Sequence, residues 1–123
     1  MEEKKKIQDA NLQEETFRNY IIGNCNLQKC TLEDCEIDDC NLQGGTLIKC
    51  KKINNCNLQE TTLKECEEIN DCNLQECTLR GCIVIRGCII KRCTVKKSNL
   101  QECKIDRDTT FYDCNIQEMK PLT

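Results

Sequence analysis

The chain has 123 residues and a net charge of −3, with 32% charged residues, 3% aromatics and no histidine; its mean hydropathy is −0.62. That length suits one domain with one core, and the missing histidine removes the usual neutral-pH base of an enzyme. The polar start Met1-Glu2-Glu3-Lys4-Lys5-Lys6, with no apolar run after it, predicts neither signal peptide nor membrane span, so a cytoplasmic chain with reduced thiols is expected.

Residues 1–9 read as a polar N-terminal cap. From Ala10 the chain falls into pentads: a small residue, a polar one, an aliphatic one and two polar ones. Asn-Leu-Gln begins at Asn11, Asn26, Asn41, Asn57, Asn73 and Asn99, and Asn115-Ile116-Gln117 is a near copy. The first four steps are 15, 15, 16 and 16 residues. Repeats of this kind signal a solenoid.

Three pentads per coil place all 14 cysteines in three columns. The first runs Ala10, Cys25, Cys40, Cys56, Cys72, Cys88, Cys103. The second runs Glu15, Cys30, Gly45, Thr61, Cys77, Cys93, Asp108. The third runs Tyr20, Cys35, Cys50, Cys66, Cys82, Ser98, Cys114. Two residues after each column member comes an aliphatic: Leu12, Leu27, Leu42, Leu58, Leu74, Ile90 and Ile105 on the first side. Phe17, Leu32, Leu47, Leu63, Leu79 and Val95 follow on the second, where Thr110 breaks the series. The third side gives Ile22, Ile37, Leu100 and Ile116, with Ile53, Ile69 and Ile85 one residue late. Alternate residues of a strand share a face, so the small and aliphatic positions point inward together.

The late isoleucines fix the number of sides. Their extra residues fall three pentads apart, and bulges in a stack must align to keep the ladder. Three sides align them; four would scatter them. The corner after the third side reads Asn24, Asp39, Asn55, Asp71 and Gly87, residue types suited to left-handed backbone angles. The sequence thus predicts an all-β, single-stranded parallel β-helix over residues 10–118. It has about seven triangular coils of 15–16 residues, with 119–123 as a C-terminal tail.

The pentads Cys25-Asn26-Leu27-Gln28-Lys29, Cys40-Asn41-Leu42-Gln43-Gly44 and Cys72-Asn73-Leu74-Gln75-Glu76 resemble the pentapeptide-repeat proteins, whose motif is a small residue, Asn or Asp, Leu and two variable positions. The resemblance covers about residues 10–118. It implies a right-handed parallel β-helix, usually with four sides, and C-terminal pairing of copies. The 15/16-residue coil and the use of cysteine depart from that pattern.

The cysteines form no CxxC pair, so zinc-site spacing is absent. Free buried thiols packing as small hydrophobes are expected, and no metal or cofactor. Disulfides between stacked coils stay geometrically open, since strands lie ~4.8 Å apart and bridged Cα atoms start near ~4.4 Å. No phosphate loop is present. Glu36, Lys51 and Glu67 read as a surface charge ladder of small value. All four aromatics lie near the ends, and Phe111 with Tyr112 is the candidate end-to-end contact.

Charge is uneven along the chain. Glu33 to Glu76 carries eleven acidic and four basic residues, a net of −7; Arg80 to Arg107 carries eight basic and two acidic, a net of +6. The second segment offers a candidate basic band of Arg80, Arg86, Lys91, Arg92, Lys96 and Lys97. The reading adopted is a non-enzymatic structural or protein-interaction rod, with a protein partner or self-association and no membrane. A DNA mimic that binds a topoisomerase is the alternative the resemblance suggests, although the +6 stretch opposes it. Thiol or metal storage is a second alternative, opposed by thiol burial. Direct nucleic-acid binding is not favoured. Ice binding by the threonine column Thr16 to Thr109 is opposed by the charged residues beside it.

Overall fold

Side-chain alternation with a five-residue beat has one outcome here: a short strand, a corner, and another short strand. The computed structural model describes residues 4–122. They form 23 strands of two to four residues, in three parallel sheets of eight, eight and seven strands. Each strand pairs with the third strand before or after it in the chain. Each coil therefore has three sides and about 15–16 residues, and about seven coils stack.

Like residues stack on like. Asn11, Leu12 and Gln13 lie against Asn26, Leu27 and Gln28, and the same register continues to Asn73, Leu74 and Gln75. A one-residue slip would turn every leucine to solvent, so the register is held by the core. From Leu27 to Leu100 the inward leucines and isoleucines are at most 2% exposed, each contributing ~1.5–3 kcal/mol of burial.

The bulges stack on the third side. Lys51, Glu67 and Ile83 donate their backbone N–H to Cys35, Cys50 and Cys66, at 3.2, 2.9 and 2.9 Å. Ile53 then lies level with both Ile37 and Ile69, and Ile69 with Ile85. Because the bulge consumes one residue, the charge ladder is Glu36, Lys52 and Glu68, rather than the expected Glu36, Lys51 and Glu67.

A further correction concerns the last coil. Thr110 does not break the second side; it lies against Thr94, and Phe111 against Val95. A turn at Arg107–Asp108 adds one residue, so Thr109, not Asp108, takes the corner position. Its Oγ1 accepts the Cys93 N–H at 3.3 Å. The threonine column accordingly ends at Thr110. Pairing also runs outside residues 10–118: Lys5–Gln8 lies along Tyr20–Gly23, and Lys120–Pro121 along Lys104–Ile105.

All three corners use left-handed angles, not only the one rich in Asn and Asp. Eighteen non-glycine residues have φ between 49° and 63°, among them Lys29, Lys49, Glu60, Glu65, Glu76, Arg92 and Lys97. Each such residue costs ~1–2 kcal/mol. The strain is held by the ladder, in which the corner N–H donates to the coil above: Glu60 to Gln75 at 3.0 Å, Lys49 to Lys64 at 2.9 Å.

Candidate functional site

Each cysteine sits just after a corner and points inward. Thirteen are buried, Cys114 is half-buried, and all 14 are free thiols. A thiol is a weak donor, and here it points at carbonyls: Cys40 Sγ lies 3.3 Å from the Asp38 oxygen and 3.7 Å from the Ile22 oxygen one coil below. Ser98 and Thr61 make the same local bond, to Lys96 and Gln59, both at 2.9 Å. The position thus selects a small side chain with a donor, and Cys, Ser and Thr meet that demand. The first coil departs from this, with Ala10, Glu15 and Tyr20 at the open end of the stack, and within the stack Gly45 is the exception. A Cβ there would lie 2.5 Å from the Cys30 carbonyl oxygen, so the second column is interrupted by backbone approach.

Within a column the thiols face one another. Burial raises Cys25 and Cys35 above the ordinary thiol value. For Cys56 the bond with Cys40 favours the thiolate, but the bond with Cys72 and burial outweigh it and hold Cys56 up to about 12. Cys72 is held at about 12 in the same way between Cys56 and Cys88. Cys88, bonded to Cys103 and Cys72, is also at about 12. Cys103, stabilised as thiolate by its bond with Cys88, falls to about 7.

The outer surface differs from side to side. On the first side the asparagines form an amide ladder: Asn26 Nδ2 donates to Asn11 Oδ1 at 2.7 Å, Asn41 to Asn26 and Asn57 to Asn41 at 2.9 Å, and Asn73 to Asn57 at 2.8 Å. Gln13, Gln28, Gln43, Gln59 and Gln75 stack beside them. The leucines between are turned inward, so a trough of ≈ 800 Å³ runs between these amides and reaches Ile89 and Lys91 at its far end. No strand position on this side is charged over five coils. Sequence reading found the asparagine line but not the trough, which exists only once two polar columns flank an inward one.

The six basic residues do not share one side. Lys64, Arg80 and Lys96 stack on the second side, with Lys97 at its far corner and Arg92 at its near one. Lys91 follows the glutamine column on the first side, against Gln75. Arg86 lies on the third side, where its guanidinium donates to Gln101 Oε1 at 2.7 Å. Arg92 is 3.4 Å from Glu76. Phe111 and Tyr112 also diverge. Phe111 packs against the core, while Tyr112 is 53% exposed beneath the Lys96 ammonium, 5.6 Å from its ring centre.

The architecture is a three-sided parallel β-solenoid. No family model matches the chain, and no curated protein matches it. Solved structures do overlap with it, pentapeptide-repeat proteins among them. Full-length QnrB1, a plasmid-mediated fluoroquinolone resistance protein, aligns with a TM-score of 0.42 at 11% identity, over 96% of this chain and 94% of its own. The pentapeptide-repeat protein Rfr23 from the cyanobacterium Cyanothece 51142 aligns with a TM-score of 0.25 at 14% identity, over 97% and 85%. The A-module of the mannuronan C-5 epimerase AlgE4 from Azotobacter vinelandii gives 0.44 at 6% identity, over 96% of this chain and 55% of that one.

Proposed function

We propose that the chain is a non-enzymatic, cytoplasmic interaction rod that docks a protein partner on the amide face of its first side. One observation carries this: over five coils that side shows only Asn and Gln at its outward strand positions, on a chain with 32% charged residues. Amides lose less on desolvation than charges do, and the centres of protein interfaces are depleted of charge. The ladder also holds the amides in fixed positions, which lowers the ordering cost of binding. A DNA-mimicking role is not adopted, because it needs acidic charge along the whole rod and residues 80–107 carry +6.

The test places two cations on the face without touching the core. Asn41→Lys with Gln59→Lys should weaken partner binding at least tenfold, read by co-sedimentation against the purified partner, with circular dichroism unchanged. Thr62→Lys, on the second side, should leave binding as it was. The reverse pattern, or a wild-type chain that elutes as a monomer and retains no partner, contradicts the proposal.

A further inference from the structure

Charge on the outer columns is arranged unevenly. In two of them the stacked charges are opposite: Arg18 lies against Glu33, bridged at 2.9 Å, and Lys52 lies between Glu36 and Glu68. The second side departs from this. Lys64 lies level with Arg80, and Arg80 with Lys96. All three are exposed, so three like charges stand in line at ~4.8 Å intervals. Like charges directly opposite one another destabilise a sheet. Lys97 follows at the corner, and no carboxylate occurs between Glu76 and Glu102. The ion pairs among the described residues join Lys4 to Glu36, Arg18 to Glu33 and Arg92 to Glu76. The three stacked cations are left without a carboxylate from their own chain.

A second row runs beside them. Thr62, Thr78 and Thr94 are level with one another, two residues before the cations on the same strands. Between the rows Leu63, Leu79 and Val95 turn inward, so hydroxyls and cations face solvent together, ~6.6 Å apart along each strand. Lys and Arg can only donate hydrogen bonds, and hydroxyls can donate as well. A ligand suited to this strip is therefore an acceptor that carries repeated negative charge.

We propose that the strip binds an acidic segment of a protein, held in extended form along the rod. The first and third cations are ~10 Å apart and an extended chain advances ~3.3 Å per residue, so about four acidic residues span the strip. Their carboxylates supply the missing counter-charge through charge-assisted hydrogen bonds, which are stronger than neutral ones. Binding also relieves the repulsion within the column. A nucleic-acid strand matches the charge but little else. Single strands are held by stacking their bases on aromatic rings, and the aromatic that borders the strip, Tyr112, already lies under the Lys96 ammonium, 5.6 Å from its ring centre. The strip is a separate surface from the amide face of the first side, and its ligand is a separate one.

The test is fluorescence anisotropy of a labelled octaglutamate peptide with the full chain, together with urea midpoints of the free chain. The peptide should bind at low salt and be released steeply as salt is raised. Arg80→Gln removes the central cation and should weaken the peptide about fivefold or more, the scale of one exposed charge pair. It should also raise the low-salt urea midpoint of the free chain, because the stacked repulsion goes with it. A cation that served packing alone would lower that midpoint when removed. Arg86→Gln makes the same change in net charge on the third side and should leave peptide affinity as it was. Oligothymidylate of equal charge should bind more weakly than the peptide. The proposal is overturned if the peptide does not bind at low salt, if both variants weaken it equally, if Arg80→Gln lowers the midpoint, or if the oligonucleotide binds the more tightly.

Discussion

At the corner residue, hydrogen bonding and size decide identity, and hydrophobicity follows. Cys40 lies against two carbonyls, and Ser98 and Thr61 supply the same local bond elsewhere. The thiol columns also give stability a defined pH dependence. Cys56, Cys72 and Cys88 are held at about 12, whereas thiols of the unfolded chain ionise near 9. Their contribution is complete below pH 9 and is lost as pH rises from 9 toward 12, by up to ~1.4 kcal/mol per thiol per pH unit. Cys103 has the opposite sign. Lowered to about 7, its contribution is present above 9 and is lost as pH falls through 7. Urea midpoints measured across pH should therefore fall steeply above pH 9, and Cys56→Ser should reduce that slope. A midpoint that stays level to pH 11 would contradict this reading.

At the scale of the strand and corner, each five-residue unit trades local strain for ladder bonds. The corner residues Lys29, Glu60, Glu65 and Arg92 have φ of 49–53° although none is a natural left-handed residue. Glycine relieves the Cβ conflict, worth ~1–2 kcal/mol, and adds an entropic cost of roughly 0.5–1 kcal/mol. Glu65→Gly should thus stabilise the fold by up to about 1 kcal/mol, seen as a higher denaturant midpoint with unchanged slope. A lower midpoint would show that the corner is not strained. The corner positions at Lys29, Glu60, Glu65 and Arg92 were hidden in the sequence because those residues give no turn signal and dilute the Gly44, Asn19, Asp34 and Gly81 of the same two corners; the corner with Asn24, Asp39 and Asn55 was legible because its members from Asn24 to Gly87 all do. The extra residue near Asp108 was missed for a related reason. A single insertion with no second copy above it has no period, whereas those after Cys50, Cys66 and Cys82 recur and could be aligned.

For the whole molecule, stability is a sum over neighbouring coils, and the three sides are free to differ outside while sharing one core. The core was legible because burial imposes a strict alternation on Leu27, Leu42, Leu58 and their counterparts. Surface grouping was less so: Arg80 and Arg86 are close in sequence but lie on different sides of the triangle, since six residues pass a corner. The amide trough likewise depends on two columns being coplanar, a relation between coils rather than within one. The central claim is that the sulfurs lie inside a dry three-sided stack. It is tested most directly by titrating the native protein with a bulky thiol reagent and comparing it with the denatured chain. All 14 thiols should react once the chain is denatured, while in the native state Cys114 alone should react rapidly and the other thirteen only on the timescale of unfolding. Rapid reaction of most thiols in a protein that keeps its sheet signal would contradict the account.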